Sequence, residues 1–393
     1  MLTGSNFTTR KRILTASAAA GLFCTIAFYL VPVLPLHPHT SSHDTAIGGH
    51  DVSLAASGER LSPLARSNLC SAHGVAPYHP HISPVNNKRK VYDLFMLNTE
   101  LDWLEIRLHE LASQVDYFVV LEAPTTFTGL PKKMFYGDNK KHFQQFEAKI
   151  IHHVLEPPEK DVLGHVENST VVPGTAEYES HAWTMERYQR NAMFTQVLPF
   201  LTGDAAPNQD DVIIVSDIDE IPRPATVQLL RECQFGRMTT LRSVFYYYSF
   251  QWLHRGEEWR HPQATTYHGP SRTLLPASLR ELDGSSLSIP SSELHTIWNS
   301  GWHCSSCFAT IAEMLVKMQS FSHTNLNAER FRSRDRIVQH IREGKDLWDR
   351  WFQWYKRVDG NQDVPEYLKK EAEKGRFGYM INRDDKAAGF TDF

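Results

Sequence analysis

The feature that most constrains the fold of this chain is a strand, helix, strand pattern between Val91 and Ala123. Residues 91–97 (VYDLFML) and 117–123 (YFVVLEA) predict two strands, and residues 100–113 between them carry leucines at helical spacing. Two strands joined by one helix within about 33 residues normally lie parallel in one sheet. The pattern therefore predicts an α/β fold.

The segments that follow extend this pattern. Lys149–Leu155 predicts a third strand, a helix is expected from about Ser180 through Leu198, and Val212–Val215 predicts a central strand before a helix at Pro224–Glu232. The later segments predicted as extended are 238–252, 264–275 and 297–304, and those predicted as helical are 310–320 and 329–343. We expect a doubly wound, mostly parallel sheet with helices on both faces.

The stretch from Asp211 to Pro224, DVIIVSDIDEIPRP, places three carboxylates at the end of a predicted buried strand. Asp217, Asp219 and Glu220 follow four apolar β-formers, and two prolines then prevent the strand from continuing. Ligands bind at the carboxyl ends of strands in open α/β sheets, and an Asp-X-Asp there can bind a divalent cation that holds a diphosphate. The same residues are also compatible with a polar turn that caps the helix at Pro224.

The N-terminal part has a different character. A basic cluster at residues 10–12 precedes an uncharged run at 13–36, long enough to cross a hydrocarbon core of roughly 30 Å. Its small residues lie too early for a cleavage site, so we expect an uncleaved signal-anchor transmembrane helix with residues 1–12 in the cytosol. Residues 37–87, rich in His, Pro and Ser, predict a disordered stem. The folded domain is expected over residues 88–393.

Charge and cysteine content limit the functional classes further. The net charge of -4 provides no basic surface for nucleic acid. Beyond the apolar run lie Cys70, Cys233, Cys304 and Cys307, which allow three complete pairings that the sequence does not distinguish. Asn168 begins a glycosylation sequon in a predicted loop.

From about Val91 to the end, the chain resembles glycosyltransferase family 17, the β-1,4-mannosyl-glycoprotein 4-β-N-acetylglucosaminyltransferases. The resemblance is carried, in order, by NTELDWLEIRLHEL (98–111), VVLEAPTTFTG (119–129), SDIDEIP (216–222), GWHCSSCF (301–308) and KMQSFSH (317–323). It implies a GT-A-like catalytic domain, an N-terminal anchor in the Golgi membrane and a luminal, type II orientation. It also implies inverting transfer of N-acetylglucosamine from UDP-GlcNAc to a mannose-containing glycan or glycoprotein.

The resemblance also implies a metal site. Asp217 and Asp219 are expected to hold a divalent cation, with Mn²⁺ as the expected metal, which neutralises the departing diphosphate. His303 and His323 are the candidates for a third ligand. We expect His323 to bind the metal, since its loop position can close over bound donor, and His303 to line the site. Glu220 either binds through water or supports the loop.

Further side chains are predicted near the substrate. Asn98 and Glu122 end the first two strands at the edge that carries Asp217 and are expected to reach the nucleotide. Arg187 and Arg190 are candidates for the diphosphate, although a surface ion pair on the helix that carries Glu186 is the favoured explanation.

Two more roles concern the first helix and the catalytic base. Asp102 and Arg107 are expected to fix that helix by ion pairing. Inverting transfer also needs a base near the acceptor hydroxyl. The sequence does not select among four candidates, Glu257, Glu281, Asp283 and Glu293.

Three different functions are also compatible with the sequence. An apolar strand before Asp-X-Asp is the nucleophile motif of haloacid-dehalogenase-like phosphatases, but here the motif follows about 120 residues of the folded domain and Ile221 stands where Thr or Val is usual. The second function is transfer of a different nucleotide-sugar. The third is glycan binding by a luminal relative without activity.

Overall fold

A computed structural model of the chain describes residues 44–46, 61–79, 88–157, 175–281 and 289–393. The strands are β1 (Asp44–Ala46), β2 (Val91–Leu97), β3 (Tyr117–Glu122), β4 (Ile150–Val154), β5 (Val212–Asp217), β6 (Glu220–Pro222), β7 (Met238–Tyr247), β8 (Ser249–His254), β9 (Gln263–Thr266), β10 (Leu294–Ser305) and β11 (Tyr355–Arg357). The α-helices are α1 (Pro63–Ala72), α2 (Leu101–Leu111), α3 (Phe135–Asn139), α4 (Ala176–Thr195), α5 (Pro224–Glu232), α6 (Pro276–Glu281), α7 (Ile311–Ser320), α8 (Arg334–Glu343), α9 (Glu366–Glu373) and α10 (Gly378–Ile381).

One mixed sheet organises these elements, in the order β1, β10, β7, β9, β5, β2, β3, β4. Neighbours along this path are parallel except at β9, which lies antiparallel between β7 and β5. The strands β6, β8 and β11 branch from the path and pair antiparallel with β10, β7 and β8 respectively. The prediction of an α/β fold with a mostly parallel sheet is confirmed.

Side chains of the central strands enter two apolar layers in alternation, because successive residues of a strand point to opposite faces of the sheet. Val212 and Ile214 pack on the face covered by α2, whereas Ile213 and Val215 pack with residues of α4 on the other face. This explains why β5 reads as a continuous apolar run: both of its faces are buried.

The register places the polar ends of the strands at one edge. Met96 of β2 pairs with Asp217 of β5, and Leu97 pairs with Glu122 of β3. The edge predicted from the sequence to carry the functional site is therefore formed.

The structure differs from the sequence prediction at residues 61–79, which lie within the predicted disordered stem. Here α1 packs near α5, and a disulfide joins Cys70 to Cys233, the residue that follows α5. Leu69 and Cys70 are buried, so this segment belongs to the folded part. The second disulfide joins Cys304 and Cys307.

The later half also differs in detail. The extended stretch predicted at 238–252 is two strands, β7 and β8, which reverse at Tyr248, a residue with a φ of 65°. Of the stretch predicted at 264–275, only the part within β9 is a strand. The part of the chain described above contains no helix long and apolar enough to span a membrane, and the predicted anchor at 13–36 lies outside it.

Candidate active site

The turn between β5 and β6 is held in place by Arg107 of α2. Its guanidinium is fully buried and forms an ion pair with Asp93 of β2, with N to O distances of 2.7 and 2.6 Å. It also donates to the carbonyl oxygens of Asp217, Ile218 and Glu220 at 3.2, 3.4 and 2.7 Å. The predicted ion pairing of the first helix thus extends into the Asp-X-Asp turn, whereas Asp102 accepts a hydrogen bond from Tyr379.

Two more arginines bind the first carboxylate of the motif. Arg190 of α4 donates to Asp217 Oδ1 at 2.9 Å, and Arg280 of α6 donates to Asp217 Oδ2 at 2.8 Å. Although burial raises the pKa of Asp217, these two guanidinium groups outweigh it and hold that pKa far below the ordinary carboxyl range. Asp217 is therefore a charged and neutralised carboxylate.

Glu220 stabilises the turn between β5 and β6. It is fully buried and accepts hydrogen bonds from the backbone N–H of Asp217 at 2.8 Å, from Arg280 Nη1 at 2.5 Å and from the indole N–H of Trp259 at 2.7 Å. Burial raises its pKa, but Arg280 outweighs burial and lowers that pKa to about 2. Of the two roles predicted for Glu220, the structure shows the supporting one.

Asp219 differs from both of its neighbours. The charged groups around it stand beyond hydrogen-bonding length: His303 Nε2 lies 3.7 Å from Oδ1, and Lys317 Nζ of α7 lies 3.8 Å from Oδ2. Burial raises the pKa of Asp219 to about 6; the negative charges of Asp217 and Glu220 add to this, and Lys317 opposes it. A largely buried carboxylate that lacks close neutralisation is suited to receive a cation.

His303 lies beside Asp219 in an aromatic wall. Its ring stacks on Phe245 with a centroid distance of 4.8 Å and lies 4.8 Å from the ring of Trp259. Burial lowers its pKa to about 4, so the imidazole is neutral at pH 7, as a metal ligand must be. Its Nδ1 is buried without a hydrogen-bond partner in the described structure.

These groups fit a divalent cation, but with a different ligand set from the one predicted. Among the residues that the structure describes, no group of three His, Cys, Asp or Glu side chains is arranged to hold a metal. The predicted set of Asp217, Asp219 and His323 is therefore not assembled. Asp217 is occupied by two arginines, and the histidine next to Asp219 is His303. An oxygen and a nitrogen donor remain, which suit a cation that takes its other ligands from substrate and water.

His323 lies elsewhere, against α4. Its ring meets the ring of Trp183 edge-on at 4.9 Å, and its pKa is lowered by burial, with Glu186 and Glu179 raising it. The sequence favours His323 because it ends a helix in a loop, but that loop packs on α4. His303 is therefore the histidine beside Asp219, and the assignment of His323 as a metal ligand stays a prediction.

The two residues predicted to reach the nucleotide, Glu122 and Asn98, differ in whether their side-chain oxygens already accept hydrogen bonds. Glu122 is fully buried and accepts hydrogen bonds at 2.9 Å from Tyr136 N, Gly137 N and His152 Nε2. Both of its oxygens are thus engaged in fixing the start of α3, which corrects the prediction. Asn98 donates to Ser320 Oγ of α7 at 3.2 Å, and its buried Oδ1 has no partner among the described residues.

The arginines of α4 are separated by burial. Arg187 is exposed and pairs with Glu281 of α6, whereas Arg190 is the arginine that pairs with Glu186, at 2.8 Å. Arg190 is buried and reaches Asp217. Of the two arginines predicted to bind the diphosphate, Arg187 therefore lies on the surface and Arg190 holds the turn.

The base candidates are dispersed. Glu257 is exposed and pairs with Arg242, and Glu281 pairs with Arg187. Glu293 lines a cavity of about 1020 Å³ together with Arg89. Asp283 lies outside the described residues. None of the three described candidates contacts Asp219 through an ion pair or a hydrogen bond in this part of the chain.

Sequence reasoning missed three residues of this site: Arg280, Lys317 and Trp259. Lys317 stands within one of the family motifs without an assigned role, and the other two lie in the less regular second half. An arginine or a tryptophan alone is not a local signal, since long-range packing brings each to the turn.

Comparisons with known proteins identify a family for this chain. The model of glycosyltransferase family 17 matches residues 59–377. The β-1,4-mannosyl-glycoprotein 4-β-N-acetylglucosaminyltransferases of Rattus norvegicus and Homo sapiens are each 27% identical over 162 residues, which is 39% of this chain and 26% of the relative. The match thus spans about a quarter of the length of these curated relatives.

Two solved glycosyltransferase structures are also similar to this chain. A mannosyltransferase from Pyrobaculum calidifontis, in complex with GDP-Man and Mn²⁺, is 12% identical with a TM-score of 0.31, over 69% of this chain and 66% of that one. Glucosyl-3-phosphoglycerate synthase from Mycobacterium tuberculosis, in complex with UDP, is 13% identical with a TM-score of 0.20, over 49% and 52% respectively.

Proposed function

The chain belongs to glycosyltransferase family 17, and we propose that it transfers N-acetylglucosamine from UDP-GlcNAc to a mannose-containing glycan in a metal-dependent, inverting reaction that forms a β-1,4 linkage. The donor, acceptor and linkage follow the names of its relatives. The observation that carries the proposal is Asp219, a largely buried carboxylate with a raised pKa and a neutral histidine beside it. Because the chain belongs to this family, the Asp-X-Asp motif is not interpreted as the nucleophile of a haloacid-dehalogenase-like phosphatase.

The proposed chemistry requires that negative charge on the leaving UDP be neutralised. Asp219 and His303 would hold the cation, and a bound Mn²⁺ would supply Lewis-acid neutralisation of the diphosphate. Lys317, 3.8 Å from Asp219, is a cation that can donate to phosphate oxygens from α7. Arg190 and Arg280 keep the turn in one position by holding Asp217.

The acceptor side needs a hydroxyl that attacks the anomeric carbon while the bond to UDP breaks and a base takes the proton. Glu257 and Glu281 are paired with arginines, and the structure brings neither of them to Asp219. We therefore leave the base unassigned. The unpartnered Oδ1 of Asn98, beside α7, is a candidate acceptor for a donor hydroxyl or N–H.

The test is UDP release by the purified full chain with Mn²⁺ and a panel of UDP-sugars, with and without a mannose-terminated oligosaccharide. We expect release that depends on UDP-GlcNAc, acceptor and metal, is lost in Asp219→Asn, and persists in the control Glu366→Gln, a carboxylate that is 62% exposed at its side chain. If UDP is released only from a different UDP-sugar, that UDP-sugar is the donor and UDP-GlcNAc is not. Binding of UDP-GlcNAc without turnover would identify a glycan-binding relative and refute the enzymatic proposal.

We also propose that the catalytic domain faces the Golgi lumen, because the basic residues 10–12 precede the apolar run at 13–36. Protease treatment of intact vesicles should then remove only the tail at residues 1–12, and Asn168 should carry a glycan. Digestion of the catalytic domain from the outside would contradict this orientation.

A further inference from the structure

The loop between α8 and β11 exposes two tryptophans three residues apart. Trp351 is 79% exposed and Trp354 is 64% exposed, and Phe352 between them is 38% exposed. The rings of Trp351 and Phe352 meet edge-on at 5.7 Å. Single exposed apolar side chains are common on protein surfaces, whereas a contiguous exposed cluster such as this one usually marks a binding surface.

Hydrogen bonds of buried side chains fix the conformation of this loop. Asp346 accepts hydrogen bonds from the backbone N–H groups of Trp348 and Arg350 at 3.1 and 2.8 Å, and from the Arg350 side chain at 2.6 Å. The indole N–H of Trp348 donates to the carbonyl oxygen of Leu326 at 2.9 Å. The two tryptophans are therefore presented by an anchored loop, and little conformational entropy remains to be lost when a ligand contacts them.

The same loop is linked to the candidate active site through a series of side-chain contacts. The carbonyl oxygen of Trp354 accepts a hydrogen bond from Arg255 N at 2.9 Å, and Gln353 contacts the His254 ring at 2.9 Å. The His254 ring lies 4.9 Å from Phe245, which stacks on His303 beside Asp219. Three successive aromatic rings, those of His254, Phe245 and His303, thus connect this loop to Asp219.

We propose that Trp351 and Trp354 form an acceptor subsite that binds a sugar ring of the glycan one or more residues away from the reacting mannose. This inference rests on the proposed function, since it places the acceptor of that same site. A pyranose offers an apolar C–H face that stacks on an indole, and rim hydroxyls that need polar partners. Arg255, Glu257 and Arg260 are exposed on the segment that pairs with the loop and supply such groups.

Carboxylates near the loop provide acceptors for sugar hydroxyls. Asp349, two residues before Trp351, is 63% exposed at its side chain, and Glu257 is 69% exposed. Each of them pairs with an arginine, Arg336 at 2.7 Å and Arg242 at 3.1 Å respectively.

The experiment compares the full chain with the variant Trp351→Ala/Trp354→Ala and with the control Phe200→Ala. Phe200 is similarly exposed, at 73%, but lies between α4 and β5, before the strand whose far end carries Asp217. We expect the double variant to raise the KM for a mannose-terminated N-glycan oligosaccharide by about tenfold or more, as expected for the loss of two stacking aromatics. The KM for UDP-GlcNAc, and the kcat/KM for methyl α-mannoside, which is too short to reach the loop, should change less than about twofold, and Phe200→Ala should change none of them.

A binding measurement keeps this inference separate from the proposed function. Saturation-transfer NMR with the same oligosaccharide, without donor, should show contact with the wild-type chain and lose it in the double variant, with unchanged thermal unfolding. If the wild type binds in this way but never releases UDP, the enzymatic proposal fails and the glycan subsite stands.

Two results would overturn the inference. The first is an oligosaccharide KM and an NMR signal that are both unchanged in the double variant. The second is an unchanged KM together with quenching of the wild-type tryptophan fluorescence by vesicles of brominated phosphatidylcholine, lost in the double variant, which would identify a membrane contact instead.

Discussion

Arg107 offers the sharpest test of how the fold positions the catalytic turn. Its side chain and that of Asp93 are both fully buried, and their shortest N to O distance is 2.6 Å. Arg107 also donates to Ser216 Oγ and to the carbonyl oxygens of Asp217, Ile218 and Glu220. One side chain therefore joins β2, α2 and the Asp-X-Asp turn.

We expect Arg107→Met to lower the free energy of unfolding by about 4–8 kcal/mol. Leaving the buried charge of Asp93 without its partner costs about 3–5 kcal/mol, and a buried carbonyl oxygen that loses its donor adds about 1–3 kcal/mol. Adding Asp93→Val removes the unpaired charge, so the double variant should regain about 2–4 kcal/mol. It does not restore the donors to the turn, so transfer should remain at least about a hundredfold below wild type.

The assay is urea unfolding followed by tryptophan fluorescence, together with UDP release at saturating substrate. Arg376→Met is a matched control: that arginine pairs with Glu105 and Glu371 but is 44% exposed at its side chain. It should cost less than about 1 kcal/mol. The reasoning is refuted if Arg107→Met costs as little as the control, or if the Asp93→Val/Arg107→Met variant transfers sugar at the wild-type rate.

The site and its disulfides yield three more predictions. Burial raises the pKa of Asp219 to about 6, above its value in the unfolded chain, so the ionised carboxylate lowers the free energy of unfolding as the pH rises from about 4 through 6. In urea unfolding with chelator present, Asp219→Asn should therefore be more stable than wild type at pH 8 and equal to it at pH 4; in the UDP-release assay with Mn²⁺ it should be inactive. Arg280→Met should lower kcat/KM for UDP-GlcNAc by about a hundredfold, whereas Arg187→Met, an exposed arginine on α4, should stay within about twofold; equal effects would contradict the assigned contacts. Replacing Cys70 and Cys233 by Ser should lower the free energy of unfolding by about 3–5 kcal/mol, since that bond closes a loop with a sequence separation of 163; an unchanged urea midpoint would show that the bond does not form.

The sequence predicts the first half of the fold well because its signals are local. The strand at Val91–Leu97 and the helix at Pro224–Glu232 have the predicted bounds, since each is marked by apolar periodicity and by turn residues or proline. The antiparallel insertion of β9 between β7 and β5 was not predictable in this way. Strand order depends on pairing between distant segments, and a short strand such as QATT carries little apolar pattern.

Within the site, the Asp-X-Asp turn was predictable because all its carboxylates follow one strand. The roles of its members were not, since they depend on which cations pack against each carboxylate. Arg187 and Arg190 are alike in sequence and three residues apart, so only the burial of one side of α4 distinguishes them. The sequence undervalues His303 because a histidine in an apolar strand is usually a packed one; here it is packed and also borders Asp219.

The bond between Cys70 and Cys233 has a practical consequence for truncated forms of this protein. A recombinant fragment that begins near Lys88 would lack α1 and leave the sulfur of Cys233 without its partner. The same cut removes Arg66, which pairs with Glu232, and Tyr78, whose N–H donates to the Glu232 carbonyl oxygen. In an oxidising medium such a thiol is free to link two molecules, so fragments cut after Tyr78 should form reducible dimers, whereas those that begin before Leu61 should stay monomeric through this cysteine.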